Sequence, residues 1–244
     1  MAGLRTRRYG TSGPWLVVLH GGPAAAGGAA ALARGLADSF RVLEPWQRGS
    51  GDEPLAVTRH VADLHELLEA RCGAAPPALV GTSWGAMLAL AYAAEHPRRP
   101  GPIVLVGCGT FDPVARGRLQ EILQERMKEG RQDEALYSFD PVAAEADETP
   151  PFDERAHTET WNDMVRLQEE GMYPAAFEAI RSPVLMLHGA YDPHPGQMIR
   201  DSLLPYLPQL EYREWERCGH YPWLERAVRG EFFAVLREWL ARQL

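Results

Sequence analysis

Gly81-Thr82-Ser83-Trp84-Gly85 constrains this chain more than any other stretch. Ala78-Leu79-Val80 ahead of it reads as a buried strand, and the Ala- and Leu-rich residues 86–94 behind it are strong helix formers. A strand that passes straight into a helix must reverse sharply. Glycines two residues before and two after Ser83 remove side chains that would strike the neighbouring strand or helix. Such a turn lifts the serine hydroxyl clear of the sheet, beside the N–H groups and positive dipole end of the helix, which suits a developing oxyanion. Ser83 is the candidate nucleophile.

The rest of the chain supplies a setting for that turn. Trp15-Leu16-Val17-Val18-Leu19, Arg41-Val42-Leu43-Glu44-Pro45-Trp46, Ile103-Val104-Leu105-Val106, residues 183–189 and residues 210–215 are the further expected strands; the most apolar of them lack alternation, as in a parallel sheet covered on both faces. Helices are expected over 57–70, 197–204 and 224–242. Alternating strands and helices predict an α/β fold with a mostly parallel, doubly wound sheet. Between 111 and 181 the pattern changes to helical stretches near 114–129 and 154–170 with Pro- and acid-rich connections. This predicts a short helical cap, 111–181, inserted after the strand at 103–106 into a core made of 1–110 and 182–244.

Within the cap segment lie 17 acidic and 8 basic residues, so it holds the acidity behind the net charge of -8. Those carboxylates either solvate the outer faces of helices or favour a cationic substrate. Without a basic stripe, nucleic-acid binding is not expected. No apolar run approaches the ~18 residues of a membrane span, and the start of the chain lacks a signal-peptide core, so no membrane association and a cytoplasmic location are expected. Cys72, Cys108 and Cys218 are odd in number without paired spacing, which suggests neither disulfides nor zinc. The Ala/Gly stretch over 24–33 lacks the Gly-Lys-Ser/Thr ending of a phosphate loop.

A serine nucleophile needs a base and a carboxylate to orient it. Of eight histidines, His220, after Cys218-Gly219 in the loop behind the last strand, is best placed, and Asp192 follows the strand ending in Gly189. Ser83, Asp192, His220 is the chain order such a sheet uses. Asp112, after the 103–106 strand, competes for the acid role. The N–H groups of Gly22, in His20-Gly21-Gly22-Pro23, and of Trp84 are candidate oxyanion donors, while His20 is expected to brace its loop. His60 and His65 are expected to be exposed or capping, and Trp161 and Met164, with Trp84, are candidates to line an apolar substrate pocket.

From about Trp15 to its C-terminus the chain resembles the α/β-hydrolase superfamily, and within it the proline iminopeptidase (prolyl aminopeptidase) group. The motifs are His20-Gly21-Gly22-Pro23, Gln47-Arg48-Gly49-Ser50-Gly51, Gly81-Thr82-Ser83-Trp84-Gly85, Gly189-Ala190-Tyr191-Asp192 and Gly219-His220. That resemblance implies Ser83 as nucleophile, Asp192 as acid, His220 as base, and Gly22 with Trp84 at the oxyanion hole. Members of the group usually carry Asp where this chain has Trp46. The expected activity is hydrolysis of a small ester, amide or short peptide through an acyl-enzyme, without metal or organic cofactor. The same triad would also serve carbon–carbon bond hydrolysis, and the same fold a non-catalytic small-molecule receptor.

Overall fold

The computed structural model describes residues 3–143, 145 and 147–244; Met1, Ala2, Ala144 and Ala146, which the expected units include, lie outside them. Among the described residues seven strands, β1 (Thr6–Tyr9), β2 (Trp15–Leu19), β3 (Arg41–Pro45), β4 (Ala78–Thr82), β5 (Ile103–Val106), β6 (Val184–Gly189) and β7 (Leu210–Trp215), form one sheet in the order β1-β3-β2-β4-β5-β6-β7. All neighbours are parallel except β1, which pairs antiparallel with β3. Among the described residues seven α-helices accompany them: α1 (Ala30–Arg34), α2 (Val57–Cys72), α3 (Trp84–Glu95), α4 (Pro113–Lys128), α5 (Glu154–Glu169), α6 (Gly196–Leu203) and α7 (Arg229–Gln243). The α/β fold with its mostly parallel sheet is the one expected, and none of these helices is long and apolar enough to cross a membrane.

The unbroken apolar strands follow from burial on two faces. Val17, Leu19, Leu79, Ile103, Leu105, Val184 and Met186 join α2, α3 and α6 in one core. Their alternating neighbours Leu16, Val18, Val80, Val104, Val106, Leu185 and Leu187 join α1 and α7 in the other. Helix α3 lies so deep that every residue from Trp84 to Ala93 is buried.

Two elements differ from expectation. Strand β1 was not anticipated, because Thr6-Arg7-Arg8-Tyr9 has no apolar run; it is an edge strand whose Arg7 makes a bidentate pair with buried Glu44 (2.7 and 2.8 Å). The last helix begins at Arg229 rather than 224, since the backbone of 224–226 pairs with 140–142 (Val142 N–H to the Leu224 carbonyl at 2.7 Å, Arg226 N–H to the Asp140 carbonyl at 3.0 Å); buried Glu225 there accepts the backbone N–H groups of Gly219, Phe139 and Asp140 (2.7–2.8 Å).

Between β5 and β6 the chain leaves the sheet to form α4 and α5. Asp112 is the N-cap of α4, accepting from Ala115 N–H at 2.8 Å. The acids of α5 have a use that neither reading of the sequence contained. Helix α2 starts at Ala56 without a side-chain cap, and Asp163 from α5 accepts the Val57 N–H at 2.8 Å while Glu159 accepts that of Leu55 at 2.9 Å. Asp153 caps α5 and also takes the Ser50 N–H and hydroxyl, both at 2.8 Å. An uncapped helix start and two loop N–H groups beside it thus tie α5 to the core.

Candidate active site

In a parallel sheet, ligands bind outside the carboxyl ends of strands where the strand order reverses. Here the reversal lies between β2 and β4. Gly21 and Gly22 follow β2, and Ser83 follows β4. Ser83 stands at φ +54°, ψ -120°, a strained conformation for a residue with a side chain. Its neighbours show what the strain requires. A Cβ on Gly81 would run into the Gly85 carbonyl, and one on Gly85 into the backbone oxygens of Leu19 and His20. The ladder of α3 opens with Ala86 and Met87 donating to the Ser83 carbonyl, so the Trp84 N–H lies ahead of the first helical hydrogen bond.

Ser83, Trp84, Gly21, Gly22 and His220 line a cavity of ≈ 480 Å³ with Trp161, Tyr137, Trp223 and Glu134, the last its one carboxylate among the described residues. Behind it Asp192 Oδ2 accepts the His220 Nδ1–H at 2.7 Å. Burial alone would raise the Asp192 pKa, but the surrounding imidazoles, His220 foremost, hold it well below the usual carboxylate range. The ionised carboxylate can only accept, so the Nδ1 proton stays on His220 and Nε2 keeps a lone pair able to take a proton.

Around this pair the loops are fixed by polar side chains. His20 Nε2 accepts the Gln47 backbone N–H at 3.0 Å and its Nδ1–H donates to Gly21 carbonyl at 2.9 Å. Gln47 in turn donates to the His20 carbonyl at 2.9 Å and accepts the Trp84 indole N–H at 2.6 Å. His20 thus braces its loop. His157 of α5 meets the Gly22 and Pro23 carbonyls at 3.2 Å.

Three expectations need correction. His60 is buried, hydrogen-bonded to Thr160 at 3.0 Å and set edge-on to Trp84, because α5 covers its face of α2. His65 is half-buried and stacked on His96 at 4.0 Å. Met164 does not line the cavity: it is fully buried in the core packed by α2 and α3, whereas Trp161 does line it. Side-chain period alone cannot say which face of a cap helix meets the core and which the cavity. Sequence reasoning also missed His194, His157 and Glu134, which line the cavity; only His194 left a local signal, two residues after Asp192 across a proline.

Burial lowers the pKa of His20 and of His60 to about 4. The unfolded chain takes up protons on these rings near pH 6.5 and the folded chain only near pH 4, so stability falls with acid across that window. Between pH 7 and pH 4.5 the two together should cost on the order of 5 kcal/mol. His188, whose pKa is raised by Asp192 against the effect of burial, works in the opposite sense. Urea unfolding at fixed pH values measures the balance; a flat profile over this range would contradict the buried neutral rings.

The sequence profile of the alpha/beta hydrolase family matches residues 16–230. The chain belongs to that family. This alpha/beta hydrolase is 36% identical over 115 residues to a proline iminopeptidase of Neisseria gonorrhoeae, an alignment covering 43% of this chain and 36% of the relative. The match thus spans about a third of that relative's length. Among solved structures it is similar to a thermophilic esterase from Thermogutta terrifontis (TM-score 0.69, 19% identity, 98% of this chain and 93% of that one). It is also similar to a bacterial membrane phospholipase A (TM-score 0.70, 22% identity, 98% and 84%). These two likenesses concern the fold.

Proposed function

We propose that this alpha/beta hydrolase is a serine hydrolase that cleaves a small ester or amide through an acyl-enzyme. The observation that carries the reading is the Asp192–His220 hydrogen bond at 2.7 Å beside a cavity that Ser83 also lines from its strained turn. Ser83 Oγ attacks the substrate carbonyl while His220 Nε2 takes its proton. The N–H groups of Trp84 and Gly22 receive the oxyanion, each worth on the order of 3–4 kcal/mol to the transition state. His220 then gives its proton to the leaving group, and water, deprotonated by the same ring, releases the acid product. Asp192 holds the tautomer throughout. Residues 111–181 act as the cap over a core of 1–110 and 182–244, with Trp161 contributing to the substrate-binding wall.

The acids of α5 bear on the substrate. Since Asp153, Glu159 and Asp163 hold backbone N–H groups, and Glu121 and Glu125 face Arg118, they are not an array aimed into the cavity. Glu134 is left as the group able to read a substrate amine, as the similarity to proline iminopeptidases would require. The test compares proline p-nitroanilide with p-nitrophenyl butyrate, together with labelling by a fluorophosphonate probe. Ester turnover with labelling is the expected result. Anilide turnover that is lost on N-acetylation of the substrate and in Glu134→Gln assigns an aminopeptidase instead. No labelling and no turnover of either would leave a receptor with this fold and overturn the proposal.

A further inference from the structure

Asp192 carries more donors than orienting one base requires. His220 occupies Oδ2, with His188 Nε2 3.2 Å from the same oxygen. The other oxygen, Oδ1, accepts both the backbone N–H and the imidazole Nδ1–H of His194, each at 2.9 Å. The His194 ring is stacked on that of His220, centroids 4.6 Å apart and planes 19° from parallel. Both imidazoles therefore hang side by side from one carboxylate by their Nδ1 atoms, and both line the cavity.

We propose that His194 is a positioning residue for the reaction, locking the Asp192 carboxylate and the His220 ring against each other. This rests on the serine-hydrolase reading. The torsion that turns a carboxylate about its Cβ–Cγ bond is soft. Two N–H groups on Oδ1 remove that freedom, so that Oδ2 stays on the His220 Nδ1–H line. On its other sides His220 meets the edge of Tyr221 at 4.7 Å, the more distant Tyr137 at 5.9 Å, and the Gly107 backbone, where an added Cβ would come within 2.9 Å of its Nδ1; the stacked face of His194 adds a further restraint on its tilt. A near-attack arrangement loses rate steeply with small misplacement.

The charge arrangement fits this role. The groups facing His194 are Asp192, His220 and His188; burial lowers the His194 pKa and outweighs the attraction of Asp192. A neutral His194 does not repel the imidazolium that forms on His220, whereas a protonated one, stacked on it, would. Because its N–H shares the charge of Asp192, removing it leaves more of that charge to His220 and favours the protonated base in the free enzyme.

Three variants separate the parts. Asn places an amide N–H near the Nδ1 position, Phe keeps the stacked face without a donor, and Ala removes both. His194→Ala should lower kcat for the ester about tenfold or more, and His194→Phe, which keeps the stacked face, by less, each with KM within about threefold. In both, the acidic limb of the kcat/KM profile should move up by about half a pH unit. His194→Asn, which keeps the donor but loses the stacked face, should keep the wild-type limb with a kcat between those of the wild type and His194→Ala. Proton NMR adds a readout independent of turnover: the wild type should show downfield imidazole N–H signals from His194 and His220 on Asp192, one lost in His194→Ala and the other in His220→Ala. An active wild type whose His194→Ala variant keeps both kcat and the acidic limb would overturn the positioning role alone. A wild type that shows both N–H signals yet neither turns over nor labels would sink the hydrolase reading, and this proposal with it.

Discussion

Replacing Ser83 by alanine is expected to lower turnover of the ester by at least 10⁴-fold and to abolish fluorophosphonate labelling, on the order of magnitude seen when a member of a Ser-His-Asp unit is removed. The loss should appear in kcat, because the proposed oxyanion donors and the cavity wall are untouched. Circular dichroism and the unfolding midpoint should stay near those of the wild type. Ser83 contributes its strained backbone to the fold, and alanine at φ +54° carries much the same strain. The alternative acid provides a control. Asp112 accepts the Ala115 N–H at the start of α4, so Asp112→Asn should leave kcat within about twofold, an asparagine N-cap being nearly as good. Residual labelling of Ser83→Ala at the wild-type rate would mean that another nucleophile does the work.

Gly85→Ala should be among the most damaging single methyl additions to this chain. Its Cβ would fall on the carbonyl oxygens of Leu19 and His20, where the central strand β2 ends. Neither side of that contact can give: α3 is buried from Trp84 to Ala93 and β2 is hydrogen-bonded to both β3 and β4. A loss of more than about 4 kcal/mol is expected, a large part of the ~5–15 kcal/mol that holds a domain together. Soluble yield and urea unfolding report it. Gly117, inside α4, is the contrast. A Cβ there meets nothing within 4 Å, so Gly117→Ala should stabilise by about 0.5–1 kcal/mol through helix propensity. If both variants unfold alike, the close approach of strand and helix behind Ser83 is not what the glycine serves.

The inner strands β2, β4, β5 and β6 were legible because a strand buried on both faces is apolar at nearly every position, and that signal is local. Edge strand β1 was not, since its pairing with β3 rests on Arg7 finding Glu44 rather than on hydrophobicity. The acidity of residues 111–181 was legible as composition but not as function. Whether a carboxylate solvates, reads a substrate or caps a helix depends on which N–H group lies opposite. Asp163 meets the uncapped start of α2 more than a hundred residues away in sequence.

What the amino-acid sequence alone determined is therefore the local chemistry: a serine between glycines at a strand-to-helix turn, a histidine and an aspartate after later strands, and the α/β class that sets strand ends on one edge. Torsional demands and burial patterns act over a few residues and leave their mark in residue type. Only the tertiary structure decided that Met164 belongs to the core while Trp161 faces the cavity, that Glu225 ties the His220 loop to residues 139 and 140, and that His194 shares Asp192 with His220. Hydrogen-bond partners distant in sequence are assigned by how strands and helices come together, and polar side chains satisfy whichever groups burial places beside them.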